Sequence, residues 1–82
     1  MVKKIKADAV EISSDAVKAW EEMIGRVAGV AVPLGIRPKD ISDEEFWLKD
    51  DEQSLEVRCR MGRINVSMDI PAGEWRWNTK RN

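Results

Sequence analysis

Polar and apolar residues alternate most regularly between Leu55 and Ile70. Leu55, Val57, Cys59 and Met61 alternate with Glu56, Arg58 and Arg60; beyond Gly62 and Arg63, Ile64, Val66, Met68 and Ile70 alternate with Asn65, Ser67 and Asp69. Successive strand side chains point to opposite faces, so each run places its apolar residues on one face. The Gly62-Arg63 pair between the runs predicts a hairpin, because a primed two-residue turn needs positive φ at its first central residue and glycine adopts it freely. In that register Met61 faces Ile64, Cys59 faces Val66, Val57 faces Met68 and Leu55 faces Ile70. A turn centred on Met61-Gly62 sets Arg60 against Arg63, an unfavourable like-charge pair, so the first register is expected.

Residues 2–12 read as a strand whose facing changes partway, since Val10 and Ile12 flank Glu11 whereas Ile5 is followed by Ala7 and Ala9. A bulge or a late strand start accounts for the change. Ser13-Ser14-Asp15 then offers a helix N-cap and an acidic first turn. Val17, Trp20, Ile24, Val27 and Ala28 form one apolar stripe at helical spacing, with Lys18, Glu21, Glu22 and Arg26 off it. This predicts a helix over 14–28 that stops at Gly29. Val30 to Lys39, with Pro33, Gly35 and Pro38, carries no helix period and is expected to lie across the body of the domain or, alternatively, to reach a neighbouring subunit.

Residues 43–49 fit two patterns. Ser42 and Glu45 have capping-box spacing, with Ile41 and Phe46 as a hydrophobic staple, which favours a short helix. Phe46-Trp47-Leu48 followed by a polar turn favours a strand, and five helical residues gain little unless packed, so the strand is preferred. Trp75-Arg76-Trp77 suits a brief last strand, and 78–82 a frayed basic tail. The fold expected is α+β: one amphipathic helix on a small antiparallel sheet, in the order β-α-(β)-β-β, as a single domain over 1–82. Its core comprises Val10, Ile12, Val17, Trp20, Ile24, Val27, Leu55, Val57, Cys59, Val66, Met68 and Ile70.

Charge sharpens this picture. The net charge is −1, but residues 1–39 carry +2, residues 40–56 carry −7 and residues 57–82 carry +4. An acidic middle between basic flanks is a surface pattern with consequences for recognition. The longest uncharged run, Val27 to Ile36 apart from its flanking arginines, is about half a membrane span and contains Pro33, and no signal-peptide core follows Lys3, Lys4 and Lys6. A cytoplasmic chain without membrane attachment is expected.

The candidate chemistry is sparse. There is no histidine, which removes the usual general base and the usual nitrogen metal ligand. Cys59 is alone and on the apolar face, so it forms no internal disulfide, no cysteine zinc cluster and no activated nucleophile. The carboxylates match no calcium-loop spacing and the glycines match no phosphate-binding loop. No enzyme, cofactor or metal is expected. Two binding roles remain. The first is a protein-binding module, such as an inhibitor, adaptor or complex subunit, acting through Asp43, Glu44, Glu45, Trp47, Asp50, Asp51, Glu52, Trp75 and Trp77, because Trp and Arg are the residues most enriched at interface hot spots; the −7 segment adds the alternative that the acidic surface mimics nucleic-acid phosphates. The second is a dimeric nucleic-acid binder that uses Arg58, Arg60, Arg63 and Asn65 on the outer face of the hairpin, with Arg76, Lys80 and Arg81 on phosphates. The pI near 5.4 argues against the second. The acidic segment discriminates between them: paired beside Arg58 and Arg60, it would neutralise them. Protein partners, including a second copy of the chain, therefore come first.

Overall fold

A computed structural model describes residues 2–51 and 53–78. Six strands and one long helix follow in chain order: β1 (Lys3–Ile5), β2 (Val10–Ile12), α1 (Ser14–Ala31), β3 (Glu45–Leu48), β4 (Leu55–Met61), β5 (Ile64–Ile70) and β6 (Trp75–Trp77). They form an antiparallel sheet in the order β1-β3-β4-β5 and a second, two-stranded sheet of β2 and β6. The α+β class and the single helix packed on an antiparallel sheet agree with the sequence. So does every pair of the hairpin, from Met61 opposite Ile64 to Leu55 opposite Ile70, around Gly62 at φ +61°.

The change of facing near residue 7 has a structural cause. A single turn of 3-10 helix at Ala7–Ala9 separates β1 from β2, and the two strands belong to different sheets. Helix α1 begins where expected, with the Ser13 side chain accepting from the Ala16 N–H at 3.1 Å. It does not stop at Gly29 but runs on to Ala31. Gly25 and Gly29 are tolerated inside it, at about 1 kcal/mol each, because packing outweighs propensity. The reversal comes instead at Gly35, φ +83°, where the Gly35 N–H bonds the Val32 carbonyl and the Ile36 N–H bonds the Ala31 carbonyl. The connection after α1 is therefore not draped over the body along its length. Val30, Val32 and Leu34 are exposed, and Ile36 alone of its larger aliphatic side chains tucks in, against Gly62.

The core lies between α1 and the inner face of the larger sheet, with Val10, Ala16, Trp20, Leu55, Val57, Cys59, Val66 and Ile70 buried in one cluster. Ile12, Ile24, Val27 and Met68 pack against its margin. Val17 is a correction: at 41% exposure it lies outside the core, and Ala16 takes its place. Trp20, Ile24 and Val27 of the expected stripe do face the core, joined by Ala16 and Met23, so the buried face is displaced only at its N-terminal end. Met61, fully buried, belongs inside as well. Residues 45–48 are strand, not helix, and the would-be cap explains why. The Arg60 N–H donates to Ser42 Oγ at 2.8 Å, and the Ser42 N–H donates to the Arg60 carbonyl at 2.8 Å. Ser42 thus continues the ladder beside β4, while the registers Glu45 opposite Arg58 and Ile41 opposite Met61 leave one extra residue at Asp43-Glu44, a β-bulge.

Asp51 fixes the turn from β3 into β4. Its carboxylate accepts from the N–H groups of Gln53 and Ser54 and from the Ser54 hydroxyl, at 2.8–2.9 Å. These bonds, the Ser54 N–H foremost, hold the Asp51 carboxyl below its ordinary pKa. The folded form binds this proton less readily than the unfolded chain does. The resulting stability is complete above the ordinary aspartate range and is lost as pH falls through the depressed value. We expect denaturant midpoints to fall in acid for the native chain and to fall less steeply for Asp51→Asn; parallel slopes would contradict this role. The expected fraying of the C-terminal tail does not begin at Asn78, whose N–H bonds the Ala9 carbonyl and whose amide bonds the Asp8 carbonyl; positions 79–82 lie outside the described residues. No helix among the described residues is long and apolar enough to cross a membrane.

Candidate interaction surface

The polar alternates of β3, β4 and β5 share the outer face of the larger sheet. Three ladder rows cross it: Lys4, Trp47, Glu56 and Asp69; then Glu45, Arg58 and Ser67; then Arg60 and Asn65. At the centre the Arg58 guanidinium lies 4.5 Å from the centroid of the Trp47 ring, within cation–π range. Arg58 also donates to Glu56, and the Trp47 indole N–H donates to Glu45 Oε1 at 3.2 Å. Lys4 pairs with Glu45 at 3.4 Å, and Lys49 with Asp69 at 3.2 Å. The Trp47 bond first, then Lys4, lowers the pKa of Glu45. A half-buried indole is thus held in one orientation on a solvent-facing sheet, its ring against Arg58 and its N–H on Glu45. An open groove of about 670 Å³ runs beside it, floored by Arg58, Arg60, Asn65 and Ser67 and bordered by Ser42 and Glu45.

The acidic residues do not form one patch. Asp40 accepts from the Arg37 N–H and closes a short turn. Asp43 and Glu44 stand on the bulge, where Glu44 accepts from the Trp20 indole N–H and ties the bulge to α1. Glu45 and Glu56 are on the outer face, and Asp50 and Asp51 are in the next turn. Glu52, Lys80 and Arg81 lie outside the described residues. Trp75 and Trp77 are far from Trp47 in role: their rings meet edge to face at 5.4 Å, and the Trp75 indole N–H donates to the Gln53 carbonyl at 2.9 Å, closing one end of the core. Trp77 remains about half exposed, and Arg76 pairs with Glu11 at 2.6 Å.

Of the hairpin arginines, Arg58 is engaged, whereas Arg60 and Arg63 have no ion-pair partner among the described residues. Cys59 is buried, and its thiol donates a weak hydrogen bond to the Ser42 carbonyl at 3.5 Å. Two features escaped the reading of the sequence: the use of Ser42 as a surrogate ladder residue and the stacking of Arg58 on Trp47. The second was legible only once the register of β3 on β4 was known, since it depends on which residues share a face. Among the described residues no group of His, Cys, Asp and Glu is arranged to hold a metal ion. Compared with protein families, with curated proteins and with solved structures, the chain matches none.

Proposed function

We propose that the chain is a non-catalytic protein-binding module, an inhibitor, adaptor or complex subunit, whose contact surface is the outer sheet face around Trp47 and Arg58. The observation that supports this reading is the held indole of Trp47. Trp and Arg dominate interface energetics when they are clustered, and a side chain already fixed loses little further entropy on binding. The bulge with Asp43 and Glu44 and the turn with Asp50 and Asp51 bracket β3 at its two ends. Glu45 and Glu56 on the face, with Asp43 and Asp50 at the ends of β3, offer carboxylates to a partner with basic groups, whereas Glu44 is turned to the Trp20 indole on α1.

A nucleic-acid role is the second reading, favoured by Arg60 and Arg63, which have no ion-pair partner among the described residues, beside Asn65. Glu45, Glu56 and Asp69 are interleaved on the same face, and β3 runs beside Arg58, although it ends before Arg60. That weakens phosphate attraction where it is needed. The test uses Trp47→Ala and Arg58→Ala, both surface changes with the fold checked by circular dichroism. The native chain, immobilised, is expected to retain a protein from its own cell extract in stoichiometric amount, and either substitution to weaken that retention by about tenfold or more. Equal capture by all three proteins would reject this surface.

A further inference from the structure

The two edges of the larger sheet are unlike. The β1 edge is three residues long and carries Lys3 and Lys4, which is how edge strands are commonly kept from pairing. The β5 edge is seven residues long and holds no proline, no lysine and no bulge. In a two-residue hairpin the residues flanking the turn exchange both backbone hydrogen bonds, and such pairs recur at every second position. Ile64, Val66, Met68 and Ile70 therefore bond inward to β4. The N–H and C=O groups of Asn65, Ser67 and Asp69 point away from it, and these three residues are exposed. The orientation of Arg60, whose N–H and C=O reach Ser42 on the opposite side of β4, fits the same alternation.

The strand Ile64-Asn65-Val66-Ser67-Met68-Asp69-Ile70 is also close to palindromic in chemistry about Ser67. We infer that β5 pairs antiparallel with β5 of a second copy of this chain, about a twofold axis at Ser67, joining two four-stranded sheets into one. In this register Ser67 faces the partner's Ser67, and Asn65 faces the partner's Asp69, an amide opposite a carboxylate. On the inner face Val66 faces the partner's Met68, and Ile64 faces the partner's Ile70. No like charges are opposed, and apolar groups meet only apolar groups. The ladder closes with about six backbone hydrogen bonds. Pro71, which has no N–H, and the Gly62-Arg63 turn limit it at either end. Shifting the register by one residue opposes Ser67 with Met68 and mixes the faces, and shifting it by two keeps the faces but leaves part of the strand unpaired, so the twofold at Ser67 is the register that pairs all seven residues of β5.

The test is sedimentation equilibrium from about 1 µM to about 1 mM, a span that covers weak to moderate dissociation constants. The native chain is expected to show a monomer–dimer equilibrium. Ser67→Lys sets two lysines against each other at the axis, and Asn65→Asp sets carboxylate against carboxylate twice. Each is expected to raise the dimer Kd by about tenfold or more. Asn65→Lys, which meets the partner's Asp69, is expected to lower it. All three changes are at exposed positions, and circular dichroism confirms that each variant folds. A strictly monomeric native chain overturns the proposal. So does a dimer that Ser67→Lys leaves intact, or one on which the two Asn65 substitutions act in the same direction.

Discussion

Truncation of Leu55 to alanine is expected to lower stability by about 3–4 kcal/mol, as for other fully enclosed leucines. For a chain of this size that corresponds to a fall in Tm on the order of 15–25 °C. Leu55 has no exposed surface, lies in the row that links Leu48 on one side to Ile70 on the other, and sits in the core cluster beneath α1. The cavity left by three lost carbons is bounded by paired strands, which cannot close over it without breaking ladder bonds. Val17→Ala on α1 supplies the contrast. Its side chain is substantially exposed, so the same measurement should give well under about 1 kcal/mol. Comparable losses at the two sites would mean that the helix presents a different face to the sheet.

Substitution of Gly62 by alanine is expected to cost about 2–3 kcal/mol from two separable sources. The first is its backbone: φ of +61° disfavours any residue with a Cβ, by about 1–2 kcal/mol. The second is space, since an added Cβ would lie 3.0 Å from Ile36 Cγ1 and 3.1 Å from Cδ1. Ile36 is brought there by the reversal at Gly35 and the short turn at residues 38–40, whose Asp40 carbonyl accepts the Gly62 N–H at 3.0 Å. A double-mutant cycle with Ile36→Ala separates the two. In the Ile36→Ala background the added methyl has room, so the Gly62→Ala penalty should shrink to its backbone share. An unchanged penalty would mean that Ile36 does not press on the turn.

The hairpin could be read from the sequence because its information is local. A period of two, a glycine in the turn and one like-charge clash specify both pairing and register for residues 55–70. The end of α1 was not legible in the same way. Gly29 has the chemistry of a stop, but Ala31 is buried, so tertiary packing carries the helix past it. Val17 was misplaced for a related reason: alanines contribute little to a hydrophobic pattern although they decide how closely a helix approaches a sheet. The segment 42–45 shows a direct competition, in which one serine oxygen can cap a helix or complete a neighbouring strand, and the strand, with more bonds to offer, prevails. At the candidate surface the residue types were visible and their grouping was not. Trp47 and Arg58 meet across two strands, whereas of Trp75 and Trp77, adjacent in the pattern, the first closes the core elsewhere and the second stays half exposed.

Retention on immobilised heparin at about 50 mM salt tests the central claim, recognition of protein rather than nucleic acid by the outer sheet face, most directly. With Arg58 committed to Glu56 and Trp47, and with Glu45 opposite it, the chain is expected to pass through without retention. Strong retention that is abolished by Arg60→Ala with Arg63→Ala would contradict the account and give that face to a polyanion.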